Sequence, residues 1–371
     1  MRRRHLLRGA AALVGLGAAT AAAGYAGVRP GLGADPSGVD LERIARSPNF
    51  REGAFRNLVD VPDMTSERSS GWRTMAEFLL DDTPGLKPTA PVPSRRMRLM
   101  DLREGEMVWL GHSGFVLREN GLTILIDPSL HEASPLPFTF RPFPGSNPYA
   151  PADLPDADIL LITHDHYDHL DWRTVRALLG RVKRVVCPLG VGSHFVAWGW
   201  PREIITELDW FESTKAGART TITAVPSQHF SGRTMRRNTT LWAGFVIEFP
   251  GRTLYLSGDG GMGPHFADIR RIWPKIDLAV LEDGQYNRDW STIHLMPADW
   301  RRAAAELAPA ALLPCHNSKY DLSRHVWTDP LERAAASSEA LGIALATPMI
   351  GEAFPWTRAE KASRRWWPAV P

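Results

Sequence analysis

The sequence predicts an α/β protein of four layers, a helix–sheet–sheet–helix (αββα) sandwich, on three observations. Apolar runs of strand length recur from about Met97 onward. Some follow one another directly while others alternate with helical segments, and this mixed pattern occurs in both halves of the region. A chain of 371 residues with 44% hydrophobic and 23% charged residues can bury a sizeable core, which excludes a disordered protein. Lys+Arg 43 against Asp+Glu 41 leaves a net charge of +2, too little for a nucleic-acid binder held by a dense basic surface. Two cysteines cannot build a disulfide framework or an all-cysteine zinc site.

The first segment reads as targeting. Arg2, Arg3, Arg4 and Arg8 precede a run from Gly9 to Val28 without a charge, closed by Arg29. A basic stretch followed by an apolar one is the pattern of a secretory signal, and Arg3-Arg4-His5-Leu6-Leu7-Arg8 resembles a twin-arginine signal. The run is about 20 residues, also long enough for an uncleaved anchor. Residues 1–28 are therefore set apart, and the expected location is the periplasm or the inner membrane. Residues 29–96, punctuated by Pro, Gly and Ser with one helix around Gly71–Leu80, are expected to wrap a main domain at 97–371.

Within that domain Met107–Leu117 and Leu122–Ile126 are strand-like, separated by a turn at Arg118–Gly121. His131–Pro151 is a long loop rich in Pro and Phe, the kind that carries function or stays irregular. Strands are predicted at Ala157–Thr163, Val182–Cys187, Ile204–Leu208, Thr220–Val225, Thr240–Phe249, Thr253–Ser257, Leu278–Leu281 and Ala311–Pro314. Helices are predicted at Trp172–Leu179, Gly190–Trp198, Ala267–Ile272, Pro297–Leu307 and Pro330–Leu341.

The chemistry starts at Thr163, where an apolar strand runs into His164-Asp165-His166-Tyr167-Asp168-His169-Leu170-Asp171. Alternate side chains of an extended segment point the same way, so His164 and His166 can close on one metal, and Asp168 and His169 on a second after the chain turns. Imidazole and carboxylate suffice as zinc ligands. Three histidines and an aspartate within six residues at a strand end have no ordinary packing explanation. Further ligands are available at His229, Asp259 and His316, each just past a predicted strand. Gly258 and Gly260 let backbone pack closely around the Asp259 carboxylate.

His164-x-His166-x-Asp168-His169, followed in order by His229, Asp259 and His316, resembles the metallo-β-lactamase-fold hydrolases. The similarity covers about Met97 to Ala353 and implies the αββα sandwich with a dinuclear site at one edge. The segments HxHYDHLD, PSQHFSGR and Glu207–Trp210 (ELDW) resemble the N-acyl phosphatidylethanolamine-hydrolysing phospholipase D group and its exported bacterial relatives. That resemblance implies two Zn²⁺: one on His164, His166 and His229, the other on Asp168, His169 and His316, with Asp259 bridging. It also implies that His294, in Ile293-His294-Leu295-Met296-Pro297, lies near a substrate phosphate.

The remaining candidates have supporting roles. Asp127 ends a strand and can orient a ligating imidazole. His112, in Gly111-His112-Ser113-Gly114, is structural support or part of the site floor. Tyr167 is a substrate contact or a packing residue. Asp171 is best read as the N-cap of the helix at Trp172. Arg233, Arg236 and Arg237 could bind phosphate, although a solvated charged face is commoner. Arg364-Arg365-Trp366-Trp367 and the loop at 134–150 suit either a membrane interface or cover for a sheet edge.

Two Zn²⁺ offset by Asp168, Asp259 and a bridging hydroxide leave the inner shell near one positive charge, which favours an anionic substrate. Zinc brings the pKa of bound water from about 15.7 toward about 7. The expectation is a zinc phosphodiesterase of phospholipase D type, in which metal-bound hydroxide attacks phosphorus of an N-acyl or other phospholipid at a membrane surface. Asp168, Asp259 and His294 are its candidate catalytic residues. The alternatives are a lactonase or β-lactamase-type amide hydrolase, and a metal-binding envelope protein with little catalysis.

Overall fold

A computed structural model describes residues 26–65, 80 and 83–370. Residues 26–32 are helical, and after them come a short helix α1 (Val39–Ile44) and two antiparallel strands, β1 (Phe50–Arg51) and β2 (Ala54–Phe55). Then come β3 (Glu106–Trp109), β4 (Phe115–Glu119), β5 (Leu122–Ile126), β6 (Ala157–Leu161), α2 (Trp172–Ala177), β7 (Val182–Pro188), α3 (Gly192–Ala197) and β8 (Ile205–Leu208). The second half runs β9 (Ser213–Ala216), β10 (Thr220–Val225), β11 (Gly244–Phe249), β12 (Arg252–Leu256), α4 (His265–Ile272), β13 (Leu278–Glu282) and α5 (Pro297–Leu307). It continues through β14 (Ala311–Cys315), α6 (Asp329–Leu341), β15 (Ala344–Leu345) and β16 (Ala353–Pro355).

Two seven-stranded mixed sheets result, ordered β16-β3-β4-β5-β6-β7-β8 and β15-β14-β13-β12-β11-β10-β9. The period of two along each strand sorts the apolar side chains into layers. Ile124, Ile126, Ile159 and Leu161 of the first sheet meet Ile222, Phe245, Leu254 and Val280 of the second in a central core. Leu125 and Leu160 face outward to pack with Val175 and Phe195 of α2 and α3. Val246, Tyr255 and Leu281 face outward to pack with Phe266, Trp300 and Ala334 of α4, α5 and α6. This is the expected αββα sandwich. Each fully buried Leu, Ile or Phe contributes on the order of 1.5–3 kcal/mol.

Several sequence expectations need correction. Met107–Leu117 is two strands, because Gly111 and His112 take φ of 85° and 55° and turn the chain between β3 and β4. β9, β15 and β16 were not anticipated; all are short, and β16 closes the first sheet by pairing with β3. Of the two readings of Arg364–Trp367, cover for the sheet fits: Trp366 and Trp367 are core residues, and Trp367 Nε1 donates to Glu332 Oε1 at 2.7 Å. The predicted helix at Gly71–Leu80 and most of the targeting segment lie outside the described residues. Among the described residues no helix is long and apolar enough to cross a membrane.

Described parts of the N-terminal region contact the main domain. Pro30 and Gly31 carbonyls accept from Trp198 Nε1 and from the Arg233 guanidinium, and Phe55 N donates to Asn238 O at 2.8 Å.

Candidate metal centre

Each candidate ligand stands in a loop just past a strand, at one edge of the sandwich. The first loop follows β6. Ala243 N donates to Thr163 O at 3.0 Å, tying the two sheets together at that point. Leu170 N donates to His166 O at 2.8 Å, folding the loop back so that Asp168 and His169 come beside His164. Asp165, between two ligands in sequence, is buried and braces the loop: its carboxylate accepts from Gly232 N at 2.8 Å and Thr240 Oγ1 at 2.9 Å and contacts His194 Nε2 at 3.2 Å. Burial pushes its carboxyl up, but the hydrogen bonds from His194 and Gly232 N hold it below the usual carboxylate range.

Two groups of ligand atoms face each other. His166 Nδ1 lies 2.9 Å from His164 Nε2 and 3.2 Å from His229 Nε2. Asp168 Oδ2 lies 3.3 Å from His316 Nε2 and 3.5 Å from His169 Nε2. Asp259 Oδ2 sits between the groups, 2.9 Å from His316 Nε2, 3.1 Å from His169 Nε2, and 3.9 Å from both His164 Nε2 and His229 Nε2. These separations resemble the edge of a tetrahedral zinc site, roughly 3.4 Å for ligands about 2.05 Å from the ion. The glycines flanking Asp259 act as anticipated: Gly258 has φ of 60°, and a Cβ there would lie 2.7 Å from Ala243 O.

The donor chemistry fits divalent cations. Asp259 Oδ1 and His169 Nε2 are buried without a well-formed hydrogen bond. Burial lowers His164 and His229 well below the ordinary imidazole value, and neighbouring imidazoles add to the effect, leaving neutral lone pairs. Burial also opposes protonation of His169 and His316, yet Asp259 and Asp168 override it, raising His169 well above its ordinary value and His316 to about 10. The carboxylate-rich half therefore requires positive charge, and the three-imidazole half offers uncharged ligands.

Supporting contacts orient the ligands. Asp127 accepts from Thr163 N at 2.9 Å and Thr163 Oγ1 at 2.5 Å, and its Oδ2 lies 2.8 Å from His169 Nδ1. His112 Nε2 lies 2.8 Å from Asp168 Oδ2, and burial, followed by His316, lowers this imidazole to about 3. His229 Nδ1 faces Ile293 O at 2.9 Å. Asp171 caps α2 by accepting from Arg173 N, and it also holds Leu130 N and His131 Nδ1.

Tyr167 is a packing residue in this arrangement. Its hydroxyl donates to Arg233 O at 2.6 Å and its ring lies 4.1 Å from the Arg233 guanidinium. Arg233 is buried on the carbonyls of Gly31, Asp165 and Leu170, so it cannot serve as a phosphate contact. Arg236 and Arg237 remain exposed in ion pairs with Asp35 and Asp63.

His294 joins the cluster through a residue the sequence reading missed. Its Nδ1 donates to Glu282 Oε2 at 2.7 Å, and its ring stacks on His316 at 5.2 Å and lies 5.0 Å from His229. Glu282, fully buried, also accepts from Leu295 N. The available signal was position: Glu282 ends β13, the strand between those that lead to Asp259 and His316.

Comparison with known proteins agrees with this geometry. Residues 123–317 match the beta-lactamase superfamily domain. An uncharacterized protein of Mycobacterium tuberculosis is 35% identical over 333 residues, covering 88% of this chain and 89% of that one. The N-acyl-phosphatidylethanolamine-hydrolyzing phospholipase D 1 of Caenorhabditis elegans is 32% identical over 202 residues, 49% of this chain and 54% of the relative, so the match spans about half of that protein. In fold, the isothiocyanate hydrolase from Delia radicum gut bacteria superposes with a TM-score of 0.54 at 20% identity, over 67% of this chain and 98% of the other. With its sandwich, its histidine–aspartate cluster and these relatives, the chain belongs to the beta-lactamase superfamily as a hydrolase of the metallo-β-lactamase fold.

Proposed function

We propose that this hydrolase cleaves a phosphodiester, of phospholipid class, in the manner of a phospholipase D. The observation that carries the reading is the Glu282–His294 pair set against both halves of the ligand cluster. Two zinc ions held by His164, His166 and His229, and by Asp168, His169 and His316 with Asp259 shared, would supply Lewis acidity and activate water at neutral pH. Asp168 and Asp259 offset part of that charge, and the remainder favours an anionic group. Glu282 fixes the His294 ring through Nδ1 and can pair with it as an imidazolium, whose Nε2–H would hydrogen-bond a phosphate oxygen and pass its proton to the departing alkoxide, leaving the ring neutral. The partial similarity to the nematode phospholipase D supports the same substrate class.

A lipid surface suits the rim. Met235, six residues past His229 and two before Arg237, is 99% exposed, and Leu58 and Val59 are also exposed; so are Leu136 and Phe138, which flank Pro137, whose carbonyl accepts from Arg141. With the basic stretch and the charge-free run that follows it at the N-terminus, this favours an exported enzyme working at a membrane, which fractionation with and without residues 1–28 tests.

The substrate test compares purified protein on a micellar phosphodiester lipid with a lactam and a lactone at matched metal loading. Faster turnover of the lipid is expected. Clear preference for the lactam without detectable phosphodiester cleavage would establish the amide-hydrolase alternative instead. His294→Ala is expected to impair the phosphodiester reaction while metal content stays intact.

A further inference from the structure

The matched domain begins at residue 123, yet one ligand is held by a side chain far upstream. Asn57 Nδ2 donates to His229 O at 2.9 Å, and Asn57 Oδ1 accepts from His229 N at 3.0 Å. The same Oδ1 accepts from Trp242 Nε1 at 3.1 Å. His229 lies in the loop after β10, outside any strand, and a carboxamide is the side-chain copy of a peptide group. Asn57 thus supplies the two backbone hydrogen bonds that a neighbouring strand would otherwise provide. With the His229 ring set by Ile293 O, backbone and imidazole are both fixed.

The segment around Asn57 is itself anchored on both sides. Upstream, Asn49 Nδ2 donates to Asp209 Oδ1 at 2.7 Å, and Phe55 is buried in the central core. Downstream, Thr292 Oγ1 donates to Pro62 O at 2.6 Å. Residues 49–62 therefore strap the His229 loop to the loop that carries His294. Asn57, 8% exposed, sits where the strap meets the ligand.

We propose that Asn57 is a positioning residue for His229, and that this one contact, rather than the strap as a whole, tunes cation affinity in the three-imidazole half of the site. The inference rests on assigning His164, His166 and His229 to one cation.

The test compares Asn57→Asp, Asn57→Ala and a control, Asn49→Ala, which loosens the strap without touching His229. Zinc retention against a graded chelator is read for full-length protein, with melting of the metal-free chain alongside. Both Asn57 variants are expected to lose one zinc equivalent at 10–100-fold lower chelator than wild type, while the second equivalent stays at its wild-type midpoint. Asn49→Ala should keep both, and metal-free melting should be similar in the Asn57→Asp and control proteins. Wild-type retention in both Asn57 variants, or loss of both equivalents together in parallel with reduced melting, would overturn the proposal. Imidazole ¹⁵N resonances of the metal-free proteins give an independent reading. His229 should lose its single sharp signal in Asn57→Ala and keep it in Asn49→Ala; an unchanged His229 signal in Asn57→Ala also overturns the proposal. A wild-type chain that retains no zinc would count against the cation assignment, and the ¹⁵N comparison would still decide the role of Asn57.

Discussion

Replacing Asp127 with asparagine perturbs the metal centre without replacing a candidate ligand. Asp127 serves three buried polar groups: Thr163 N at 2.9 Å, Thr163 Oγ1 at 2.5 Å and His169 Nδ1 at 2.8 Å. Alanine would strand all of them at about 1–3 kcal/mol each, a large fraction of a typical folding stability of about 5–15 kcal/mol. Asparagine keeps the shape. Its oxygen can still accept from Thr163 N, and the Thr163 hydroxyl can reverse. The imidazole is the group that cannot adjust freely, because an amide nitrogen facing Nδ1 makes Nδ1 an acceptor and moves the proton to Nε2. That nitrogen lies 3.1 Å from Asp259 Oδ2, where a lone pair is required for a metal. The expected outcome is a fold loss of about 1–2 kcal/mol and a 10–100-fold weaker hold on the cation of the carboxylate-rich half. Chelator competition with metal analysis measures the second, and melting of the metal-free chain measures the first. An Asp127→Asn protein with the wild-type chelator midpoint would refute the argument that Asp127 sets the His169 tautomer.

Other expectations concern separate parts of the molecule. Glu282→Gln should lower turnover at least about 100-fold with metal content unchanged; combined with His294→Ala it should cost little more, since the two act as one unit. Asp259→Asn removes the shared charge and should reduce both zinc content and activity while the fold survives, as metal analysis and circular dichroism will read. Asp171→Ala removes the α2 cap and the anchor for Leu130 and His131, and should cost about 2–4 kcal/mol in denaturant unfolding. Burial lowers His265 from its ordinary value of 6.5 to about 3, so the folded state resists a proton that the unfolded chain accepts. Its contribution is therefore intact above about pH 6.5 and declines as pH falls toward about 3, by roughly 3 kcal/mol at about pH 4.5. His265→Gln should flatten that acid limb in melting curves; an unchanged slope would contradict the assigned burial.

Much of the site was legible because its signals are local. The Thr163–Asp171 segment places four candidate ligands in one loop, and His229, Asp259 and His316 each follow an apolar run whose length marks a strand. Ligand identity thus depends on strand ends, which hydrophobic patterning reveals. The central strands and helices were readable for the same reason: burial on both faces of a strand, or one face of a helix, leaves a periodic trace. Tertiary structure decided everything that depends on pairing across long separations. Asn57 meets His229 across 172 residues, and no periodicity connects them. Glu282 follows the predicted strand Leu278–Leu281, and only its neighbours in the sheet put it beside His294. Arg233 and the Trp366-Trp367 pair looked like surface groups, because a guanidinium or an indole reads as amphipathic in sequence. Three carbonyls from two distant segments bury the first, and the central core buries the second. Local patterning determines which residues can form elements and bind metal; only long-range packing determines which distant groups they meet and how water is excluded from them.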